Sequence, residues 1–216
     1  VGFARQGLRT GFIGKIGAHD ARGKEILEAL RNEGVDTSMV VKDPRAMTGY
    51  SVLLLTPRGE RTVLVYRGAS SDFRVADVDR PLRSSWLYVS SLGGQLEVLA
   101  ALWKRAAKEH VRIAWNPGAK ELAHGLSTLR PLIRQTAVFS VNQEEAAALT
   151  GHTRHQDISV FHEMSQLTDG VVLLTQGTDG CLASVDHHRY HSSTRPIHVV
   201  DTTGAGDAFG CGFVGS

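Results

Sequence analysis

The sequence contains few cysteines, hardly any excess of one charge and no long apolar run. Its 216 residues include 2 cysteines, and 24 lysines and arginines balance 22 aspartates and glutamates to a net charge of +2. So small an excess gives no electrostatic reason to expect a nucleic acid or a membrane surface as partner. No apolar run approaches the ~20 residues of a membrane-spanning helix. Cys181 and Cys211 are expected to be thiols rather than a disulfide, which predicts a reducing compartment such as the cytoplasm.

The length and composition fit a globular protein that buries a core. Hydrophobic residues make up 42% and charged residues 21% of the chain, which are ordinary values for such a protein. The chain starts at Val1 without a methionine and stops at Ser216, early in a predicted helix. We therefore expect a fragment of a longer protein, incomplete at both ends.

Several common catalytic and phosphate-binding motifs are missing. A P-loop needs G-x-x-x-x-G-K-[ST], and neither Gly14-Lys15-Ile16 nor Gly23-Lys24-Glu25 supplies the hydroxyl residue. A dinucleotide-binding fingerprint needs a third glycine three residues after Gly206, where Phe209 stands. The chain also lacks an H-E-x-x-H zinc motif and a G-x-S-x-G elbow. These absences argue against a P-loop enzyme, a Rossmann oxidoreductase, a metalloprotease and an α/β-hydrolase.

Strands and helices alternate along most of the chain. Predicted strands at residues 86–89, 111–115, 138–141 and 171–174 are separated by predicted helices. This alternation predicts right-handed βαβ units and a parallel sheet covered on both faces. We therefore predict one α/β domain over residues 1–216, with a doubly wound, mostly parallel sheet and helices on both faces. Earlier strands within about residues 36–66 follow one another without helices, which predicts a small β excursion.

Polar and glycine-rich segments follow four of the predicted strands. They occupy residues 116–118, 142–145, 175–180 and 201–207. In doubly wound sheets, ligands bind beyond the carboxyl ends of the strands, which lie along one edge. The coincidence of four such segments at one edge predicts the ligand site.

The last of these segments predicts an anion site. Ile197, Val199 and Val200 are β-branched and predict a short strand over residues 197–200. Gly204 and Gly206 predict a turn, and a helix is predicted from Asp207. A strand that enters a helix through glycines exposes N–H groups at the positive end of the helix dipole. A carboxylate at that position would repel a phosphate unless it has a task. We interpret the task of Asp207 as proton abstraction.

Two further segments each allow a structural and a functional interpretation. Asn142-x-x-Glu145 is most simply a helix start, with Asn142 as N-cap and Glu145 reaching back from N3. Alternatively, Glu145 orders a Mg²⁺ through water and Asn142 contacts phosphate. Thr175-x-Gly177-x-x-Gly180 is either a turn into a hairpin or a loop that lets the backbone approach a nucleotide phosphate, with the Thr175 hydroxyl donating.

The segment Asp201-Thr-Thr-Gly-Ala-Gly-Asp-Ala-Phe-Gly210 resembles the C-terminal signature of the ribokinase-like, or PfkB, carbohydrate kinase family. The two segments above and Gly14-x-x-Gly17-x-Asp20-x-x-Gly23 support the resemblance, which runs along essentially the whole chain. It implies a ribokinase-like fold, with the strands within residues 36–66 as a lid over the sugar.

The resemblance implies transfer of the ATP γ-phosphate to a hydroxyl of a sugar or sugar derivative. Asp207 would accept the hydroxyl proton. Backbone N–H groups would stabilise the charge on the transferring phosphoryl group. These N–H groups belong to Gly204, Ala205, Gly206 and Asp207.

The resemblance also implies ATP, Mg²⁺ and K⁺ as cofactors. Glu145 would act on Mg²⁺ through water, and Asp201 and Thr203 match positions that help to bind K⁺. The residues expected to contact the nucleotide are Asn142, Thr175, Gly177, Gly180 and Gly206.

The acceptor is a small-molecule sugar whose identity stays open. Ribose kinases of this family usually carry a glutamate near residues 90–94, where this chain reads Ser-Ser-Leu-Gly-Gly, so ribose is less expected. Arg67 and Asn116 are candidate sugar contacts, although a solvated turn arginine is the simpler interpretation of Arg67. A nucleoside kinase and a non-catalytic nucleotide- or sugar-binding member are the alternatives. The family resemblance allows a homodimer through the lid.

Overall fold

The computed structural model describes residues 1–55, 61–152, 157–186, 188–195, 197, 199 and 202–216. The chain divides into two compact units. The first unit comprises Val1–Asp79 and Gly215, and the second comprises Arg80–Val214 and Ser216. That residues 1–216 form one domain stays a prediction.

The first unit is built from two short sheets, three α-helices and a 3-10 helix (Ala69–Asp72) among its described residues. Strands β1 (Gly14–Gly17) and β2 (Val40–Asp43) pair in parallel. Strands β3 (Thr48–Leu55) and β4 (Arg61–Gly68) form an antiparallel hairpin. The helices are α1 (Gly2–Arg5), α2 (Ala21–Asn32) and α3 (Val75–Val78).

Helix α2 begins and ends where its capping residues predict. The Asp20 carboxylate accepts a hydrogen bond from the Gly23 N–H at 2.7 Å, which satisfies one free donor of the first turn. Gly34, just beyond the last turn, has φ of +74°, a left-handed conformation that glycine adopts without strain. Between these ends, Leu27 turns into the core with 5% exposure.

The hairpin formed by β3 and β4 is apolar on both faces. Val63, Leu64 and Val65 are 46%, 55% and 57% exposed, although consecutive residues of a strand point to opposite faces. Exposed apolar surface of this kind marks an interaction site more often than a free surface. Strands β2, β3 and β4 fall in the region of the predicted β excursion, and its role as a lid stays a prediction.

The second unit contains a six-stranded sheet among its described residues. Strands β5 to β8 are parallel, whereas β9 and β10 are antiparallel to their neighbours. Strand order follows chain order across the sheet. The strands are β5 (Trp86–Val89), β6 (Arg112–Trp115), β7 (Val138–Asn142), β8 (Val171–Thr175), β9 (Cys181–Val185) and β10 (His188–Ser192).

Helices cover both faces of this sheet. Trp115 on β6 packs edge-on against Trp103 of α4, with ring centroids 5.1 Å apart. The preceding residue, Ala114, points to the opposite face, where Phe209 and Val214 of α9 pack against its cluster. The predicted α/β class, with a mostly parallel sheet between helices, is confirmed. The helices are α4 (Leu96–Glu109), α5 (Ala119–Leu122), α6 (Gly125–Ile133), α7 (Gln143–Thr150), α8 (Asp157–Ser165) and α9 (Ala205–Gly215).

The segment before α9 differs from the prediction. Half of the predicted strand at 197–200 lies outside the described residues, and the described Ile197 and Val199 are not in a strand. Helix α9 starts at Ala205, two residues before the predicted start. Over the described parts of the chain, no helix is both long enough and apolar enough to cross a membrane.

Candidate active site

The junction of β7 and α7 holds Asn142 and Glu145 in a reciprocal capping box. The Asn142 side-chain oxygen accepts from the Glu145 N–H at 2.9 Å, and Glu145 Oε2 accepts from the Asn142 N–H at 2.9 Å. The predicted capping interaction is therefore confirmed. The capping box uses one of the two carboxylate oxygens of Glu145, so the other oxygen is available to a water or a cation.

The surroundings of Glu145 disfavour its negative charge. Burial raises the pKa of its carboxyl group, opposed by the hydrogen bond from the Asn142 N–H and reinforced by the nearby charge of Glu144. A cation beside the carboxylate would relieve this penalty because an opposite charge favours the ionised form. The carboxylate thus suits a hydrated Mg²⁺, which takes few protein ligands.

The end of β8 lies directly beside this capping box. Thr175 is the sheet neighbour of Asn142, which brings two predicted nucleotide contacts together. Gly177 has φ of +59°, and a Cβ there would meet no atom within 4 Å. Gly180 has φ of +100°, and a Cβ there would overlap with the Ser192 carbonyl oxygen. The turn interpretation accounts for Gly180, while the open space at Gly177 is compatible with the approach of a ligand.

The first turn of α9 presents N–H groups with no backbone partner. Gly204 caps the helix with φ of +78°. The Ala205 N–H donates to the Thr202 carbonyl at 3.1 Å, and the Ala208 N–H donates to the Gly204 carbonyl at 2.8 Å. No backbone carbonyl among the described residues accepts from the N–H groups of Gly206 or Asp207. These two donors are available to an anion at the positive helix end, as the sequence predicts.

Asp207 and Thr203 lie at the mouth of this turn. The Asp207 side chain is exposed, on the same first turn as the two N–H donors. Thr203 is exposed in the turn before the helix. Asp201, the other predicted K⁺ ligand, lies outside the described residues.

Tyr88, at the end of β5, contacts the helix that carries Asp207. A Cβ at position 210 would overlap with the Tyr88 hydroxyl oxygen, so the phenol lies directly against Gly210. Burial raises the pKa of Tyr88 to about 12, and the charges of Cys211 and Asp207 add to the shift. The hydroxyl therefore stays protonated. Tyr88 was not predicted as a site residue, because the glycine at position 210 is its only signal in the sequence.

The two predicted sugar contacts lie in different units. Asn116 follows β6, and its Nδ2 donates to the Ser140 carbonyl at 2.8 Å while its backbone N–H donates to the Val89 carbonyl at 2.9 Å. It therefore ties together the ends of three strands. Arg67 lies within β4 in the first unit and is half-buried, so the interpretation as a solvated turn arginine is wrong.

The arrangement in the second unit suits phosphoryl transfer. Asn116, Asn142 and Thr175 lie at the carboxyl edge of parallel strands, and α9 adds two N–H groups without a backbone acceptor and an exposed carboxylate. Within the described ranges, no group of three or more His, Cys, Asp and Glu side chains could hold a metal ion. Phosphoryl transfer depends mainly on positioning and electrostatic stabilisation, which these groups supply.

The chain is similar to known proteins over its whole length. A model of the pfkB family carbohydrate kinases matches residues 1–216. A fructokinase from Salmonella typhimurium is 29% identical over 228 residues, covering 100% of this chain and 73% of that protein. Aminoimidazole riboside kinase from Salmonella enterica, complexed with aminoimidazole riboside and an ATP analogue, matches with a TM-score of 0.80 and 26% identity. That match covers 99% of this chain and 72% of the kinase.

A further solved structure confirms the fold. A putative ribokinase II from E. coli in complex with ATP and Mg²⁺ matches with a TM-score of 0.85 and 19% identity, over 99% of this chain and 71% of that one. The ribokinase-like fold and the phosphotransferase function expected from the sequence are confirmed. The match of the family model to all 216 residues shows that this chain belongs to the pfkB family of carbohydrate kinases.

Proposed function

We propose that the protein transfers the γ-phosphate of ATP to a hydroxyl group of a sugar or sugar derivative, with Asp207 as general base. The observation that carries this proposal is the exposed Asp207 carboxylate on the turn whose N–H groups form the anion site. A site that only binds phosphate gains nothing from a negative charge there. A carboxylate that accepts the proton of the attacking hydroxyl explains the arrangement.

The N–H groups of Gly206 and Asp207 stabilise the transferring phosphoryl group in this proposal. They are fixed before the reaction by the helix, so they need no reorganisation as charge develops. The Ala205 N–H is occupied by the Thr202 carbonyl. Of the predicted donors, Gly206 and Asp207 are therefore the ones that the geometry favours.

The nucleotide binds in this proposal along the ends of β7 and β8. Asn142 and Thr175 are adjacent in the sheet, Gly177 faces open space, and Gly180 fixes the turn between them and β9. Glu145 would hold Mg²⁺ through water. When bound, Mg²⁺ would neutralise charge on the phosphate oxygens.

K⁺ is proposed as a second cation, at Asp201 and Thr203 beside the anion site. The proposal rests on the family signature that contains both residues. Activity that is unchanged when choline replaces K⁺ would contradict it.

Asn116 and Arg67 are the proposed acceptor contacts, and the β3–β4 hairpin is the proposed lid, as the family resemblance implies. The apolar faces of the hairpin support a homodimer formed through the lid, because such surface is rarely left in water. A nucleoside-like riboside is a second candidate acceptor, favoured by the likeness to aminoimidazole riboside kinase. Cys181 and Cys211 do not form a disulfide, which supports the cytoplasm as compartment.

A screen of sugars and nucleosides for ATP consumption by the full-length protein tests the proposal. We expect phosphorylation of at least one sugar, identified by mass spectrometry as a monophosphate. ATP binding without turnover of any acceptor would favour the non-catalytic alternative instead.

A further inference from the structure

Glu121, on α5, is a fully buried carboxylate held by four neutral donors. Its Oε1 accepts from the N–H groups of Leu92 at 2.7 Å and Gly94 at 2.8 Å. Its Oε2 accepts from Ser91 Oγ at 2.9 Å and the Gly118 N–H at 3.0 Å. Glu121 is 0% exposed, and no basic side chain among the described residues contacts the carboxylate. Burying a carboxylate is costly, and at Glu121 that cost is offset by hydrogen bonds rather than by an ion pair.

Three of the four donors lie in the loop at residues 90–94, so Glu121 determines how that loop folds. The Gly93 N–H donates to Ser91 Oγ at 3.3 Å, so the N–H groups of 92, 93 and 94 are all used inside the protein. Gly93 and Gly94 have φ of +75° and +83°. A Cβ at Gly94 would lie 3.1 Å from the Lys120 carbonyl oxygen, so the loop packs tightly against α5.

The strand that leads into this loop contacts the helix that carries the proposed base. Ser90 is exposed and follows Tyr88 by two residues, and the Tyr88 hydroxyl lies against Gly210. Gly210 is one helical turn after Asp207. The acceptor hydroxyl must lie beside Asp207 to lose its proton, so the loop stands on the acceptor side of the site.

We propose that Glu121 is a positioning residue for the acceptor, acting through the loop at 90–94. The N–H groups of Leu92, Gly93 and Gly94 are turned towards Ser91 and Glu121, so these three residues present no backbone donor to a ligand, while Ser90 is exposed and presents its hydroxyl. A hydroxyl oxygen accepts a hydrogen bond from a hydroxyl donor, which fits a hydroxyl-rich acceptor. The inference rests on the proposed kinase function and adds the residue that sets acceptor affinity.

The variant Glu121→Gln in the full-length protein tests this role. The glutamine has the same shape, but its NH₂ group would face N–H and O–H donors, so the loop must move. We expect KM for the acceptor to rise about tenfold or more. The Kd for ATP should stay within about twofold, and kcat should change less than KM, since the base and the anion site are untouched.

The variant Ser91→Ala provides a milder change on the loop itself. It removes one donor to Glu121 and the acceptor of the Gly93 N–H, and we expect KM for the acceptor to rise about threefold. The double variant should raise KM hardly more than Glu121→Gln alone, because both changes disrupt one network. If Glu121→Gln does not fold, Ser91→Ala gives the test by itself.

Thr168→Val is the matched control for a purely structural loss. Thr168 is 6% exposed, donates to the Thr136 carbonyl at 2.9 Å and accepts from the Gly170 N–H at 3.0 Å. It precedes β8 and lies at the opposite edge of the sheet. This variant should lower Tm without changing KM for the acceptor.

The outcomes separate the inference from the proposed function. A wild-type protein that phosphorylates no acceptor overturns both. An active wild type with acceptor KM unchanged in Glu121→Gln and in Ser91→Ala overturns the inference alone and leaves Glu121 as a structural residue.

Discussion

The hydroxyl group of Tyr88 lies directly against Gly210, in the space that a Cβ at position 210 would occupy. The Cζ carbon of the phenol would be 3.1 Å from that Cβ. Gly210 is buried, and it follows Asp207 by one helical turn. The contact thus fixes the distance between β5 and the helix that carries the proposed base.

Gly210→Ala should destabilise the protein and misplace α9. A methyl group in this packed position should cost about 1–3 kcal/mol, which lowers Tm by several degrees. Thermal unfolding and steady-state kinetics would measure both effects. The shift of α9 should also reduce kcat.

Gly212→Ala is the control on the same helix. A Cβ at Gly212 meets no atom within 4 Å, so alanine should keep or raise Tm through its helix propensity. Equal loss of Tm in the two variants would show that the Tyr88 contact does not constrain α9.

Glu145→Gln should separate capping from cation binding. Glutamine can still accept from the Asn142 N–H, so Tm should change little at neutral pH. Removal of the charge should lower kcat and raise the Mg²⁺ concentration needed for half-maximal activity by about tenfold or more. Glu144→Gln removes a charge from the same turn and should leave the Mg²⁺ requirement unchanged. A similar Mg²⁺ requirement in both variants would contradict the role of Glu145.

The raised pKa of Glu145 makes the stability difference between the wild type and Glu145→Gln depend on pH. Because the pKa is raised in the folded protein, the folded state binds the proton more readily than the unfolded state. The free energy of unfolding should therefore rise, relative to Glu145→Gln, as pH falls from about 7 towards about 4. Chemical denaturation of both proteins across this range measures the difference, and a difference that is constant with pH would contradict it.

Asp20→Asn should lower stability at neutral pH only. Asp20 Oδ2 accepts from the Thr48 N–H at 2.7 Å and the Thr48 hydroxyl at 2.9 Å, which ties α2 to the start of the hairpin. The pKa of Asp20 is lowered chiefly by the Gly23 and Thr48 N–H groups. The stability it contributes is present above the unfolded pKa of about 3.9 and is lost as pH falls through the folded pKa.

Thermal unfolding of Asp20→Asn at two pH values checks this expectation. Tm should fall by a few degrees near neutral pH and approach that of the wild type as pH falls below the unfolded pKa of about 3.9 and through the folded pKa. An equal loss of Tm at both pH values would contradict the assigned role of the carboxylate.

Local features of the fold could be predicted from the sequence because their partners are close along the chain. The cap at Asp20, the end of α2 at Gly34 and the box between Asn142 and Glu145 each involve residues within four positions. The family signature placed Asp207 at a helix start in the same way. For such features, residue type and spacing carry the required information.

The contacts that complete the site could not be predicted because they join distant segments. Tyr88 contacts Gly210, which lies more than a hundred residues later in the chain. Glu121, on α5, accepts hydrogen bonds from the loop at residues 90–94. Glu121 looks like any helix-forming glutamate, and only the packing shows that it is buried. The half-buried position of Arg67 in a strand likewise depends on the pairing of β3 with β4.

Asp207→Asn tests the central claim most directly, in the full-length protein with its best acceptor. The asparagine cannot accept the hydroxyl proton, so kcat should fall by roughly 10²–10⁴-fold while ATP still binds. Asp169→Asn, an exposed carboxylate before β8 at the opposite edge of the sheet, should keep wild-type turnover. Near-normal kcat in Asp207→Asn would contradict its assignment as the base.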